Sequence, residues 1–286
     1  MEYGANILQI SLDGFELNDP ENGFTLAATS IDGLFGAPEL RVETGDNFGR
    51  DGGWINPPKY KPRVIQISDA QIFHRDPVVL EQKRNDLVQH LMQKGHDFTM
   101  RVITYAGHER FLGVRVLRMP VPALDTKNKQ TYELDLYAKD PLYYDYAEGE
   151  LMAIVTKTKD GGFDIPFNIP FNISASTLPT VVTNSGNEIM KPVIKIKTAA
   201  TNPQIINRTT GAIMKVNVSV NDGDELVIDM KQSLITLNGE NIFYLKEDFA
   251  SFWGLAVGEN RIELITDIGG EETEAELYYS SAFISI

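Results

Sequence analysis

Residues 192–268, PVIKIKTAATNPQIINRTTGAIMKVNVSVNDGDELVIDMKQSLITLNGENIFYLKEDFASFWGLAVGENRIELITDI, read as one short strand after another with a turn signal between each. Val193, Ile194 and Ile196 precede Asn202-Pro203 and the run Asn207-Arg208-Thr209-Thr210-Gly211. Ile213 to Val218 precede Asn221-Asp222-Gly223-Asp224, and Leu226 to Asp229 follow. Leu234, Ile235 and Leu237 lead into Asn238-Gly239, and Gly258-Glu259-Asn260 precedes Arg261 to Ile265. β-branched runs spaced by roughly 8–12 residues and punctuated by Asn-Gly and Asp-Gly predict an antiparallel sandwich. No nucleophile, base or metal-ligand cluster stands out within it.

The order of these pieces also carries a resemblance. Asn202, Pro203, Ile205, Asn207, Thr209 and Gly211, then Gly223, Asp224, Leu226, Ile228 and Asp229, then Gly258, Asn260 and Ile262 resemble the C-terminal domain of the distal tail proteins (Dit) of long-tailed phages. A second set lies in the first half. Thr131 to Tyr137 alternates strictly, with Tyr132, Leu134 and Leu136 on one face, and runs into Ala138-Lys139-Asp140-Pro141-Leu142-Tyr143-Tyr144. That delivery resembles the end of the family's N-terminal domain.

At 286 residues the chain exceeds the usual size of one core, so two domains are expected, divided just after Asp145: 1–145 and 146–286. Both are expected to be mainly β. One convincing helix is predicted at about residues 77–94, roughly 18 residues long. Asp76 is its N-cap and Pro77 its first position; Val79, Leu80, Leu87, Val88 and Leu91 form the apolar stripe, and Gly95 is the stop. The N-terminal domain therefore reads as a β-sandwich or split barrel with one α-helix, and the resemblance implies a galectin-like C-terminal sandwich.

Charge and composition narrow the function. The net charge is −14: 16 Lys and Arg against 21 Asp and Glu give −5 over 1–145, and 10 against 19 give −9 over 146–286. Such a surface is unsuited to holding nucleic acid, because phosphate binding needs basic groups. An acidic wall would instead let DNA slide past without sticking. The absence of cysteine excludes disulfide and thiolate–metal frameworks. The opening Met1-Glu2-Tyr3-Gly4 does not read as a secretory signal, and no run of apolar residues predicts membrane insertion.

Chemistry-bearing motifs are few. His74, His90, His96 and His108 lack the i, i+4 spacing of a helical zinc site, and no Gly-x-Ser-x-Gly elbow occurs. The segment 19–29 fails as a calcium loop at Pro20 and Thr29. Gly45 to Gly53 lacks both the Gly-Lys-Ser/Thr ending of a phosphate cradle and a following helix, and reads as a flexible hairpin or loop. The run 271–276 reads as a solvated hairpin, and the triplets at Asn172, Asn207 and Asn217 carry no weight as glycosylation sites without a signal. No catalytic residue, cofactor or metal is expected.

Two sets of residues remain as interaction candidates. Phe163, Ile165, Phe167, Ile169, Phe171 and Ile173 would share one face of an extended chain, with Pro166 and Pro170 on the other. Each proline removes an N–H, so the segment reads as an edge strand on its own sandwich or as an apolar strip for a neighbouring subunit. With Phe48 and Trp54 it supplies the candidate inter-subunit contacts. Trp253, Tyr278 and Tyr279 are the candidate sugar platform of an alternative reading as a carbohydrate-binding module, although the continuously apolar Phe252-Trp253-Gly254-Leu255 favours a core position for Trp253. An enzyme acting on cell-wall polysaccharide ranks below both.

The resemblance implies a structural role. Distal tail proteins form homohexameric rings that join the tail tube protein to the tail-associated hub protein and the receptor-binding or adhesion proteins, so the expected place is the distal end of the virion tail, after assembly in the host cytoplasm.

Overall fold

The computed structural model describes residues 8–118, 123–146, 150–157, 179–267 and 273–286. The chain divides into two compact units, Met1–Ala147 with Phe283–Ile286, and Glu148–Ala282. The return of Phe283–Ile286 to the first unit is not anticipated by a single boundary after Asp145.

The first unit is built on a nearly closed, barrel-like antiparallel sheet in the order Phe15–Glu16, Gln9–Leu12, Phe98–Ile103, Glu109–Arg118, Lys129–Ala138, Arg63–Phe73, Phe24–Thr25. Period-2 burial explains it: in Lys129–Ala138 the residues Gln130, Tyr132, Leu134, Leu136 and Ala138 are buried, as the alternation predicts. Its partner Arg63–Phe73 is longer than the run ending at Ser68 suggests. The strand passes through a bulge, where consecutive Ser68 and Asp69 are exposed and Asp69 takes φ 54. The extra residue shifts the phase so that Ala70 and Ile72 turn inward again, beside Ile65 and Ile67.

The helix Pro77–Leu91 covers this core with Leu80, Leu87 and Leu91. Asp76 caps it, its Oδ1 accepting from Val78 N at 2.9 Å. It ends before the stop expected at Gly95; a separate turn, with His96 N donating to Gln93 O at 3.1 Å, follows, and Gly95 takes φ 77 within it. Among the described residues no helix is long and apolar enough to cross a membrane.

One buried cation ties distant parts of this unit together. Arg63, 4% exposed, donates from Nε to Pro141 O (3.0 Å), from Nη1 to Gly33 O (2.8 Å) and Gly36 O (2.7 Å), and from Nη2 to Ile284 O (2.7 Å). Its guanidinium carbon lies 4.8 Å from the ring centroid of Tyr143, whose hydroxyl donates to Leu34 O at 2.7 Å. Burial pulls the Arg63 pKa below its ordinary value. Burial also pushes the Tyr143 phenol up to about 12, against the opposing effect of Arg63. Gly33 fits only as glycine: at φ 75, a Cβ there would stand 2.0 Å from Val64 O.

Among the described residues the second unit contains two larger antiparallel sheets, beside the short pair Ala200–Thr201 with Ser219–Val220. A six-stranded sheet runs Glu150–Thr156, Glu274–Tyr279, Val193–Ile196, Leu226–Asp229, Leu234–Leu237, Glu240–Asn241, and a four-stranded sheet runs Thr180–Asn184, Gly258–Ile265, Gln204–Asn207, Ala212–Lys215. Ile194, Ile196, Leu226, Ile228 and Leu277 are buried from the first, and Val182, Ile205, Met214, Ile262 and Leu264 from the second, as a sandwich requires. Asn238-Gly239, with φ 52 and 82, makes the tight hairpin turn that the dipeptide predicts.

Buried amides brace the second unit. Asn260 is fully buried: its Oδ1 accepts from Ala256 N (2.9 Å) and Asn207 Nδ2 (3.1 Å), and its Nδ2 donates to Ala256 O (2.8 Å) and Gly258 O (3.0 Å). Asn207 Oδ1 accepts in turn from Thr209 N at 3.0 Å, and Thr209 Oγ1 accepts from Arg261 N at 3.0 Å. Replacing Asn260 by leucine strands several buried polar groups at once. The expected loss is about 3 kcal/mol, seen as a fall of roughly 10 °C in the Tm of the second unit by calorimetry; an unchanged Tm would contradict this reading of the network.

Candidate functional site

Between Glu39 and Pro62 the chain leaves the first unit's core and returns without a single buried residue. It is nevertheless ordered by backbone pairing. Leu40–Arg41 pairs with Lys59–Tyr60, and Thr44–Asp46 pairs with Gly53–Ile55. Lys61 N donates to Glu39 O at 2.7 Å, Asn56 N to Glu43 O at 2.9 Å, and Asn47 N to Gly52 O at 3.0 Å, which closes the tip. The result is a two-stranded ribbon about 27 Å long. Gly45 to Gly53, which reads in sequence as a flexible hairpin or loop, is its paired outer end.

The ribbon has two chemically different faces. Strand alternation puts Leu40, Val42 and Thr44 on one side, and cross-strand pairing adds Tyr60 opposite Leu40 and Ile55 opposite Thr44. Arg41, Glu43, Asn56 and Lys59 lie on the other, where Asn56 Nδ2 donates to Glu43 Oε2 at 3.3 Å. Trp54 also lies there, its indole over Gly45: a Cβ on Gly45 would stand 2.7 Å from the ring. Ile55 is 68% exposed, Trp54 48%, and Phe48 at the tip is completely exposed. Several large apolar groups are thus held in water on a paired scaffold, which makes the ribbon a candidate interaction surface.

Phe48 and Trp54 therefore stand where a contact can reach them. Leu40, Val42 and Ile55 were missed by the sequence reading, although the alternation Leu40, Val42 against Arg41, Glu43 signals them. The strip from Phe163 through Ile165, Phe167, Ile169 and Phe171 to Ile173 lies outside the described residues.

The sugar platform does not form. Trp253 and Tyr279 are each 5% exposed, and neither can offer a ring face to a sugar. Tyr278 and Tyr279 are successive strand residues and point to opposite faces. Tyr278 lies under Lys195, 4.8 Å away, and donates from its hydroxyl to Glu276 Oε2 at 2.9 Å. Among the described residues, the aromatic rings that the second unit does expose are Phe243, Tyr244 and Phe249.

An open cleft of about 480 Å³ in the first unit is lined by Thr29, Ser30, Asp32, Gln66, Ser68, Arg118, Glu133 and Asp135. Arg118 and Glu133 pair within it at 2.8 Å, and Ser68 Oγ donates to Ser30 O at 3.2 Å. The histidines serve structure: His90 Nε2 meets Leu12 O at 2.8 Å, and His96 Nε2 meets Asp13 Oδ2 at 2.7 Å.

Comparison with known proteins defines the class. Residues 185–283 match the family model of the siphovirus-type tail component, C-terminal domain. The chain as a whole has the distal tail protein fold. Over 97% of its length it is similar to the whole of the Dit protein of phage SPP1, described as a paradigm of the hub adsorption apparatus in phages infecting Gram-positive bacteria, at 16% identity and a TM-score of 0.65. It is also similar over 96% of its length to 98% of a chain from the phage p2 baseplate in its activated conformation with Sr, at 12% identity and a TM-score of 0.50. Comparison with curated protein sequences finds no match.

The two tryptophans give a direct check on these placements. With Trp54 changed to phenylalanine, the remaining emission, from Trp253, should be blue-shifted and poorly quenched by acrylamide. With Trp253 changed to phenylalanine, emission from Trp54 should be red-shifted and readily quenched. The reverse pattern would restore Trp253 as a surface group.

Proposed function

We propose that this chain is a distal tail protein that works by assembly: six copies close into a ring at the distal end of a long phage tail. The first units make the ring between the tail tube protein and the hub protein, and the second units present surface to receptor-binding or adhesion proteins. Assembly takes place in the host cytoplasm, and the acidic wall lets DNA pass without being held.

The observation that carries this reading is the ribbon 39–62, an ordered projection on which Leu40, Val42 and Ile55 are exposed together, on a chain with the distal tail protein fold. Ring closure needs a heterologous contact, one patch meeting a different patch on the next copy. A projecting ribbon is suited to that geometry, because it carries its apolar groups away from the core of its own unit. Leu40, Val42, Phe48, Trp54 and Ile55 would supply the contact and lose water on forming it. The burial of Trp253 and Tyr279 removes the support for the sugar-binding alternative.

Light scattering over a concentration series, with negative-stain images, tests the reading. The wild-type chain, alone or with tube and hub proteins, should reach six times the single-chain mass as rings with a central hole. Changing Ile55 or Val42 to aspartate should abolish the large species while shifting single-chain stability by less than about 0.5 kcal/mol, because both positions are exposed. Failure of the wild type to form rings even with those partners, or normal rings from the aspartate variants, would overturn it.

A further inference from the structure

The first unit is completed by a segment that follows the second unit in the chain. Phe283–Ile286 belongs to it, although the second unit intervenes between this segment and the rest of it. Phe283 ends a short strand that pairs beside Tyr143–Tyr144, and its ring lies 3.7 Å from the guanidinium carbon of Arg110. Phe283 and Ile286 both pack against the first unit's core. Ile284 O receives a hydrogen bond from Arg63 Nη2. The other nitrogen of the same guanidinium, Nη1, holds Gly33 O and Gly36 O, just before the ribbon begins.

We infer that Phe283–Ile286 is a strap, bound in a seat made by Arg63, Arg110 and Tyr143–Tyr144, and that seating it fixes the root of the ribbon. The seat takes a short extended peptide by its chemistry: an aromatic ring against Arg110, an apolar side chain toward the core, and a backbone carbonyl for Arg63. Without the strap, one arm of a buried guanidinium loses its acceptor, and water gains access to the cation that clamps Gly33 and Gly36. The order of synthesis then has a consequence. The ribbon root tightens only after the second unit has been made, so a chain synthesised up to Ala282 carries a loosely held contact arm and one that includes Phe283–Ile286 a pre-organised one.

Hydrogen exchange with mass spectrometry on the full chain tests this, against a chain stopped after Ala282 and against Phe283→Ala. Both variants should exchange faster at Arg63–Ile65 and Tyr143–Tyr144, by about tenfold or more in the truncated chain, with Gln204–Asn207 in the second unit unchanged. Combining the truncation with Arg63→Lys should add less than the sum of the two effects, since both act on one set of hydrogen bonds. Equal exchange in the full and truncated chains overturns the inference. So does loosening that extends equally to Gln204–Asn207, which would make the segment a general stabiliser, and so does full additivity with Arg63→Lys. The readout is taken on the single chain, so it stands or falls separately from ring formation.

Discussion

A guanidinium buried in the first unit sets the terms for the rest of it. Moving a cation out of water is tolerated only if fixed dipoles replace the water. Around Arg63 those dipoles are four backbone carbonyls, from Gly33, Gly36, Pro141 and Ile284, with the face of Tyr143 beneath. None of the four belongs to a residue near Arg63 in sequence. Satisfying the charge therefore brings three separate segments to one point, and the planar fork of arginine fixes their relative positions better than a lysine could. The barrel-like sheet supplies the enclosed site, and the ribbon departs from its edge.

The ribbon takes the opposite course. A two-stranded hairpin in water is marginal by itself, and this one buries nothing from Glu39 to Pro62. Backbone hydrogen bonds, a closed tip and the Trp54–Gly45 contact give it order, while its apolar face remains in water. Such a face gains free energy when a partner covers it. A fixed root and an unsatisfied outer face together make a part built to act on another molecule, with the entropy of ordering already spent at one end.

Much of this was legible in the sequence, and the remainder was hidden for physical reasons. The alternation through Tyr132, Leu134 and Leu136, the Asp76-Pro77 helix start and the Asn238-Gly239 turn are local signals, and each appears where it was expected. The full length of the Arg63–Phe73 strand is hidden because the bulge at Ser68-Asp69 breaks the period-2 alternation. Gly45 to Gly53 reads as a flexible hairpin or loop; it is a hairpin, in which Gly45 leaves room for an indole in a paired strand. Asn207 and Asn260 looked like turn residues and prove to be the two halves of a buried amide pair. Arg63 gave no signal, since its Ile284 partner lies 221 residues away and is reached through a backbone atom that any residue possesses.

The central claim is that the ribbon of one copy seats on another copy. A photo-crosslinking amino acid at position 48, introduced into a mixture of heavy- and light-isotope chains that have been allowed to assemble, tests it directly. The account predicts crosslinks between heavy and light chains, joining position 48 to the first unit of a different copy and absent from the Ile55→Asp protein. Crosslinks confined within single chains would contradict it.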